Sequence, residues 1–280
     1  MNTHATRRRL LLAMAAAAAA GRTAAAPSSR EDQPDASPQW QKIRASLFAQ
    51  REITAASPEQ LQLETPVRAE DAAVVPIAIR SRLPADAGPR VEKLTLVIDN
   101  NPSPIAAVFT LAPGSGRPDI ETRVRIDEYT HVRAIAHLSD GRLLMATRWV
   151  KASGGCSAPP GKDPAAAQAS LGRMRLKVEG EPRPGQPLLA QLMVSHPNSS
   201  GLAMDQLTRH YIPAHFVRRI DITHGGRPVL SADLDISISE NPNLRFAFMP
   251  QGTGELKAEV VDNRDLQFRS SLQLQPARAL

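Results

Sequence analysis

Alternation is the feature that most constrains what this chain can fold into. Between Ile120 and Ile126, the residues Ile120, Thr122, Val124 and Ile126 fall on one side, and Glu121, Arg123 and Arg125 on the other. Successive side chains of a strand point to opposite faces, so the pattern predicts a strand with one face in a core and one in solvent. The same style recurs along the chain. Leu61 and Leu63 alternate with polar neighbours, and Val75, Ile77 and Ile79 share a face, with Pro76 marking an edge or a bulge. Leu94, Leu96 and Ile98 belong to a run closed by Asn100-Asn101-Pro102, and Ile105–Leu111, Val132–Leu138 and Leu143–Val150 complete the first half. The second half holds Met174–Val178, Leu188–Val194, Phe216–Thr223, Pro228–Leu234, Leu244–Phe248, Glu255–Val261 and Leu266–Leu274, with Gly225-Gly226 as a tight hairpin turn. Two sets of about seven short strands, with turn signals every eight to twelve residues, predict an all-β chain of two antiparallel immunoglobulin-like β-sandwiches. The 24 prolines suit many short elements, and with aromatics at 4% the cores must be built from Val, Ile, Leu and Ala.

The N-terminus reads differently. Thr6-Arg7-Arg8-Arg9 is a compact positive region, and Leu10 to Ala20 is an unbroken apolar stretch, long enough for the core of an export signal and too short to span a bilayer. Ala24-Ala25-Ala26 fits the small-residue cleavage pattern, and the arginine pair followed by Leu10 fits a twin-arginine signal. The expectation is an exported, periplasmic protein with residues 1–26 removed. Residues 27–59 form a leader in which Trp40, Ile43, Leu47 and Phe48 recur at helical spacing, predicting a short amphipathic helix over 39–50. Residues 60–152 and 171–280 are the two sandwiches, and 153–170, rich in Gly, Pro and Ala, is the linker between them. The formal charge of +6 is partly carried by the signal region, and no basic stripe with interleaved aromatics points to nucleic acid.

One cysteine, Cys156, stands in the linker between Gly154-Gly155 and Ser157-Ala158-Pro159-Pro160. A single thiol in an exported chain has no internal disulfide partner and must be blocked, used or paired with another molecule. Its glycine neighbours predict an exposed cysteine on a mobile segment, with Lys151 and Lys162 near in sequence. No nucleophile elbow, phosphate loop or paired carboxylates accompany it, so the chain shows no self-contained active site. His210 and His215 lie five apart, with His196 and His224 in neighbouring loops, but no paired ligand spacing predicts a metal, and no cofactor is expected. His131 and His137, with Arg133 between them, share a strand face expected to meet solvent.

The run Val74-Val75-Pro76-Ile77, the stretch Leu96 to Gly116 with Asn101-Pro102-Ser103-Pro104-Ile105-Ala106, then Thr122-Arg123-Val124-Arg125-Ile126, Leu138-Ser139-Asp140-Gly141 and the closing Gly154-Gly155-Cys156 together resemble SoxY, the sulfur-carrying subunit of the periplasmic thiosulfate-oxidising system. The second half is similar to its companion SoxZ, through Leu192-Met193-Val194-Ser195-His196-Pro197, Ile212-Pro213-Ala214-His215-Phe216-Val217 and Asn241-Pro242-Asn243-Leu244-Arg245-Phe246. The whole resembles a SoxY–SoxZ fusion of the kind that accompanies quinoprotein (PQQ) dehydrogenases. The resemblance implies a non-enzymatic carrier whose SoxY-like and SoxZ-like domains pack on each other within the chain. Cys156 would hold the sulfur intermediate covalently, Gly154, Gly155 and Ser157 would form its flexible arm, and periplasmic sulfur-oxidation enzymes or c-type cytochromes would act on the cargo. The alternative is an accessory or binding protein of a quinoprotein dehydrogenase. Two departures stand out: Ser157-Ala158 replaces the family's Gly-Gly, and the arm continues into a second domain instead of ending.

Overall fold

The computed structural model describes residues 31, 33–83, 88–159, 161, 164–183 and 185–275. The expected export signal lies outside the described residues, as does Lys162. Fifteen strands form among the described residues: β1 Thr54–Ala55, β2 Leu61–Glu64, β3 Val75–Ser81, β4 Val91–Ile98, β5 Ile105–Leu111, β6 Asp119–Val124, β7 Thr130–Leu138, β8 Leu143–Val150, β9 Met174–Glu179, β10 Leu188–Val194, β11 Val217–His224, β12 Arg227–Leu234, β13 Asn243–Phe248, β14 Gly254–Asp262 and β15 Gln267–Leu274. Each alternating run of the sequence became one of these strands, since an alternating run buries one face whenever a second sheet covers it. Along β10 every second residue is fully buried. Pro76 sits where β3 lacks a neighbour on one side, because β2 pairs only with Ala78–Ser81. His224 and Arg227 pair across the Gly225-Gly226 turn, where both glycines have positive φ (55° and 76°), as a two-residue hairpin of this twist requires.

The two sandwiches are not beads on a linker. One sheet of nine strands runs β1-β8-β7-β4-β5-β12-β11-β14-β15, and a second of six runs β2-β3-β6-β13-β10-β9. Both sheets therefore cross from one half to the other. β5 pairs with β12 from Ala107↔Leu234 to Leu111↔Leu230, and β6 pairs with β13 at Ile120↔Phe246 and Glu121↔Arg245. An isolated sandwich would leave these four strands as open edges with unpaired backbone groups. Here each half caps the other, and one hydrophobic core runs through both, with Phe109 from the first half and Phe246 and Phe248 from the second.

The helix α1 (Pro38–Phe48) forms close to its expected place, with the Ser37 hydroxyl accepting the Trp40 N–H at 3.2 Å and proline in its first turn. It covers the outer face of β4, β7 and β8, where Trp40 and Phe48 pack on Val97, Ile135 and Leu143. This corrects the expectation for His131, Arg133 and His137. They do share a face, but α1 and the turn before it lie on that face. His131 is buried, its ring edge-on to Trp149, and half-buried His137 meets Phe48 and Thr95 Oγ1. Arg133 is fully buried, with both carboxylate oxygens of Asp99 at 2.8 Å, the Pro34 carbonyl at 2.6 Å and the Trp40 ring 4.2 Å from its guanidinium carbon. The Ala-rich part of the linker also departs from expectation, forming the short helix α2 (Pro164–Ser170), in keeping with alanine's helix preference.

Candidate functional site: a cysteine arm sealed over the domain seam

The end of β6 and the loop after β12 build the seam. Beyond Val124, the Arg125 N–H donates to Ser237 O at 2.7 Å, and Val124 forms a bridge with Ile238. Asn101 locks this junction: its Nδ2 donates to Arg125 O (2.8 Å) and Ser237 Oγ (2.9 Å), while its Oδ1 accepts the Asp127 N–H (3.0 Å). The Ser239 hydroxyl reaches back to Ala73 O at 2.7 Å. Arg125, placed by the alternation on a solvent face, is buried, because the Ile236–Ser239 loop of the second half lies over it.

The arm leaves β8 and lies down on this seam. Gly154 N–H donates to Asp127 O (2.8 Å) and Gly155 N–H to Ile126 O (2.9 Å), while Ile126 N–H donates to Ala72 O (2.9 Å). Gly155 is required by close approach: an added Cβ would sit 2.0 Å from Ala72 O and 2.7 Å from Ile126 O. The second half completes the seat, since Ser200 Oγ donates to the Cys156 carbonyl at 2.5 Å. Ser157 remains exposed, its hydroxyl 3.4 Å from Gly154 O.

Cys156 is thus 1% exposed, a correction to the exposed thiol expected from its glycine neighbours. Composition indicates what backbone freedom a segment has, whereas docking depends on partners far away in sequence, here Ala72, Ile126, Asp127 and Ser200. Burial, with the Asp127 carboxylate adding to it and Arg125 opposing, pushes the thiol up to about 12. Lys151 does not serve it, being paired with Glu31 at 3.0 Å. The docked cysteine is therefore a protonated, shielded thiol at neutral pH.

A second polar cluster sits nearby in the second half of the chain. His215, whose backbone pairs with Ser199, comes together with His196 and Asp262, a grouping that the sequence spacing of the histidines did not predict. Their three ligand-type atoms lie within 4.8 Å of one another. Asn198 N–H donates to His196 Nδ1 (3.1 Å), so that ring carries its proton on Nε2 and directs it to Asp262 Oδ2 at 3.4 Å. His215 Nε2 lies 2.7 Å from the same oxygen, and Oδ1 accepts the N–H groups of Arg264 and Leu266. The three residues could reach a common cation, but in this geometry each inward nitrogen already has a use, and the set is a closed hydrogen-bonded unit. Burial opposes the Asp262 charge, yet these donors outweigh it and hold the carboxyl below its ordinary range.

Burial and the neighbouring His215 bring His196 down to about 4, and burial with Lys93 and Arg51 brings His137 to about 4. Both are neutral when folded and regain ordinary values near 6.5 when unfolded. Between those values the unfolded chain binds more protons, so stability is intact above about pH 6.5 and declines toward pH 4. The expected loss at pH 5 is about 3 kcal/mol for the pair, with the His137 share reduced by its partial exposure. Denaturant midpoints at pH 7 and pH 5 check this; equal midpoints would contradict it.

Fold and site together define a tandem β-sandwich protein that shares both sheets across its halves and keeps its single cysteine sealed at their junction. The family model of sulfur oxidation protein SoxY matches residues 44–156, ending on Cys156, and that of sulphur oxidation protein SoxZ matches residues 175–273. The chain belongs to these two families joined in one polypeptide, a SoxY–SoxZ fusion. Among solved structures it is similar to the sulfur carrier protein SoxY from Chlorobium limicola f thiosulfatophilum, at 23% identity, covering 41% of this chain and 91% of that one, with a TM-score of 0.35. It is also similar to a superoxide reductase (neelaredoxin) from Ignicoccus hospitalis, at 15% identity over 35% and 93% of the two chains, with a TM-score of 0.31. The search of curated proteins found no match.

Proposed function

We propose that this SoxY–SoxZ fusion carries a sulfur intermediate covalently on Cys156 and presents it to sulfur-oxidation enzymes, doing no catalysis itself. The observation that carries the reading is how the arm is held. Around the cysteine it joins no strand; two glycine N–H groups and one serine hydroxyl fasten it to its seat. Few bonds need break for the arm to lift while both sandwiches stay folded. Cys156 lies six residues past Val150, which allows a reach of about 20 Å from the end of β8 at 3.3–3.6 Å per residue. Because the chain continues into α2, the arm would enter a partner as a hairpin, which requires a wider mouth than a free tail does. Fusion also keeps the second half of the seat at an effective concentration of order millimolar.

The signal-like N-terminus and the families support a periplasmic setting, with sulfur-oxidation enzymes or c-type cytochromes as partners. A second reading, an accessory of a quinoprotein dehydrogenase, is favoured by the sealed thiol itself, which is unreactive as docked. Intact mass spectrometry of protein taken from its native periplasm without reductant, beside a Cys156→Ala control, separates the two. Added mass of sulfane or sulfonate sulfur on the wild type alone is the expected result. Bare wild-type protein would favour the accessory role.

A further inference from the structure

Resting on the carrier reading, we propose that Arg125 is the charge partner of the cargo, so that the docked arm selects and retains adducts ending in an anion such as a thiosulfonate. Arg125 is 6% exposed, and among the described residues no carboxylate lies within ion-pair distance of it. One guanidinium nitrogen is spent on the carbonyls of Ile238 (2.5 Å) and Ile236 (3.4 Å). Arg133, the other deeply buried arginine, shows the usual solution, a two-pronged ion pair with Asp99. A buried cation matched only by carbonyl dipoles is costly, and such a site is completed by an anion.

The thiol is placed to supply that anion. Ile126, next to Arg125, receives the Gly155 N–H, which puts Arg125 and Cys156 on neighbouring stretches of backbone. Ile238 O also accepts from Asn198 Nδ2 (3.2 Å), two residues before the Ser200 that holds the Cys156 carbonyl. The thiol and the guanidinium act on each other electrostatically, with Asp127 opposing at the sulfur and Glu240 a further carboxylate acting on the arginine. The empty arm carries a neutral thiol and leaves Arg125 without a close counter-ion. An adduct ending in sulfonate brings one, with oxygens that suit a guanidinium's paired donors.

Tetrathionate and methyl methanethiosulfonate are the probes. The thiol attacks an inner sulfur of tetrathionate, forming Cys156–S–S–SO3⁻ and releasing thiosulfate and a proton. With the second reagent it forms Cys156–S–S–CH3 and releases methanesulfinic acid. Release of each adduct by a phosphine reductant is followed by intact mass, relative to the same adduct in urea-unfolded protein. Arg125→Gln is expected to speed release of the thiosulfonate at least tenfold and of the methyl adduct less than twofold, with Arg125→Lys between wild type and Arg125→Gln, because it keeps the charge and loses the paired donors. Equal acceleration of both adducts would overturn the assignment to Arg125 and leave the carrier reading standing. A folded wild type that takes neither adduct, while unfolded protein takes both, would overturn the carrier reading and this proposal with it. If Arg125→Gln does not fold, the wild type decides: the normalised thiosulfonate release should be at least tenfold slower than that of the methyl adduct, and equal protection overturns the proposal.

Discussion

Replacing Gly155 by alanine is expected to raise the reactivity of Cys156 toward a thiol reagent by about three orders of magnitude at pH 7.5. The new methyl would need to occupy space 2.0 Å from Ala72 O and 2.7 Å from Ile126 O, and both are backbone atoms that cannot swing aside. The arm must lift, losing the Gly155–Ile126 hydrogen bond and the seat of the cysteine. A docked thiol near 12 is almost wholly protonated, whereas a freed one returns toward about 8.5 and gains thiolate roughly in proportion to that difference. The same linkage gives wild type a pH dependence of definite sign. The docked state binds the thiol proton more tightly, so docking is at full strength below about pH 8.5 and weakens as pH rises toward 12. Alkylation rates of wild type and Gly155→Ala over pH 7–10 check both statements. Equal rates at pH 7.5 would mean that the arm's seat does not protect the thiol. Thermal midpoints should differ little, because the arm belongs to neither sheet.

The largest stability effect is expected at Asp99. Asp99→Asn keeps the shape and removes the buried charge that neutralises Arg133, leaving a fully buried guanidinium with the Pro34 carbonyl, the Trp40 ring and only the exposed carboxylate of Asp35, 3.9 Å away. Breaking a buried pair from one side costs about 3–5 kcal/mol, which in a protein of this size lowers the thermal midpoint by roughly 10 °C. Trp40 stacks on the same guanidinium, so its emission should shift to the red as α1 loosens. Removing both charges with Asp99→Asn and Arg133→Met should recover much of the loss, since the larger part of the penalty is the orphaned charge. Circular dichroism melts decide the matter; a single-variant shift below about 2 °C would show that the pair contributes little.

The strands were legible because their signal is local. A run such as Leu188–Val194 carries its two faces in its own residues, and Gly225-Gly226 specifies its turn through backbone freedom alone. Cys156 stood out as the candidate site for a similar reason: it is the single thiol, preceded by two glycines. Arg125, Arg133 and His131 were misplaced because each lies in a run whose alternation says which residues share a face, but not what covers that face. Arg125 and Arg133 occupy ordinary polar positions in alternating runs. Only the loop after β12 and helix α1, which come from remote parts of the chain, turn those positions into buried cations.

What the sequence by itself determined is the set of strands, their turns and the placing of one thiol between two sandwich-forming halves, because periodicity, glycine and proline act over a few residues. Tertiary structure alone decided that the halves share both sheets and that the arm is sealed against Ala72, Ile126 and Ser200. It also decided that Arg125 is buried under the Ile236–Ser239 loop. Edge pairing, burial and the electrostatics of a thiol depend on which groups meet in space, and those groups come from segments far apart in sequence, 44 residues for Cys156 and Ser200 and 136 for Asn101 and Ser237.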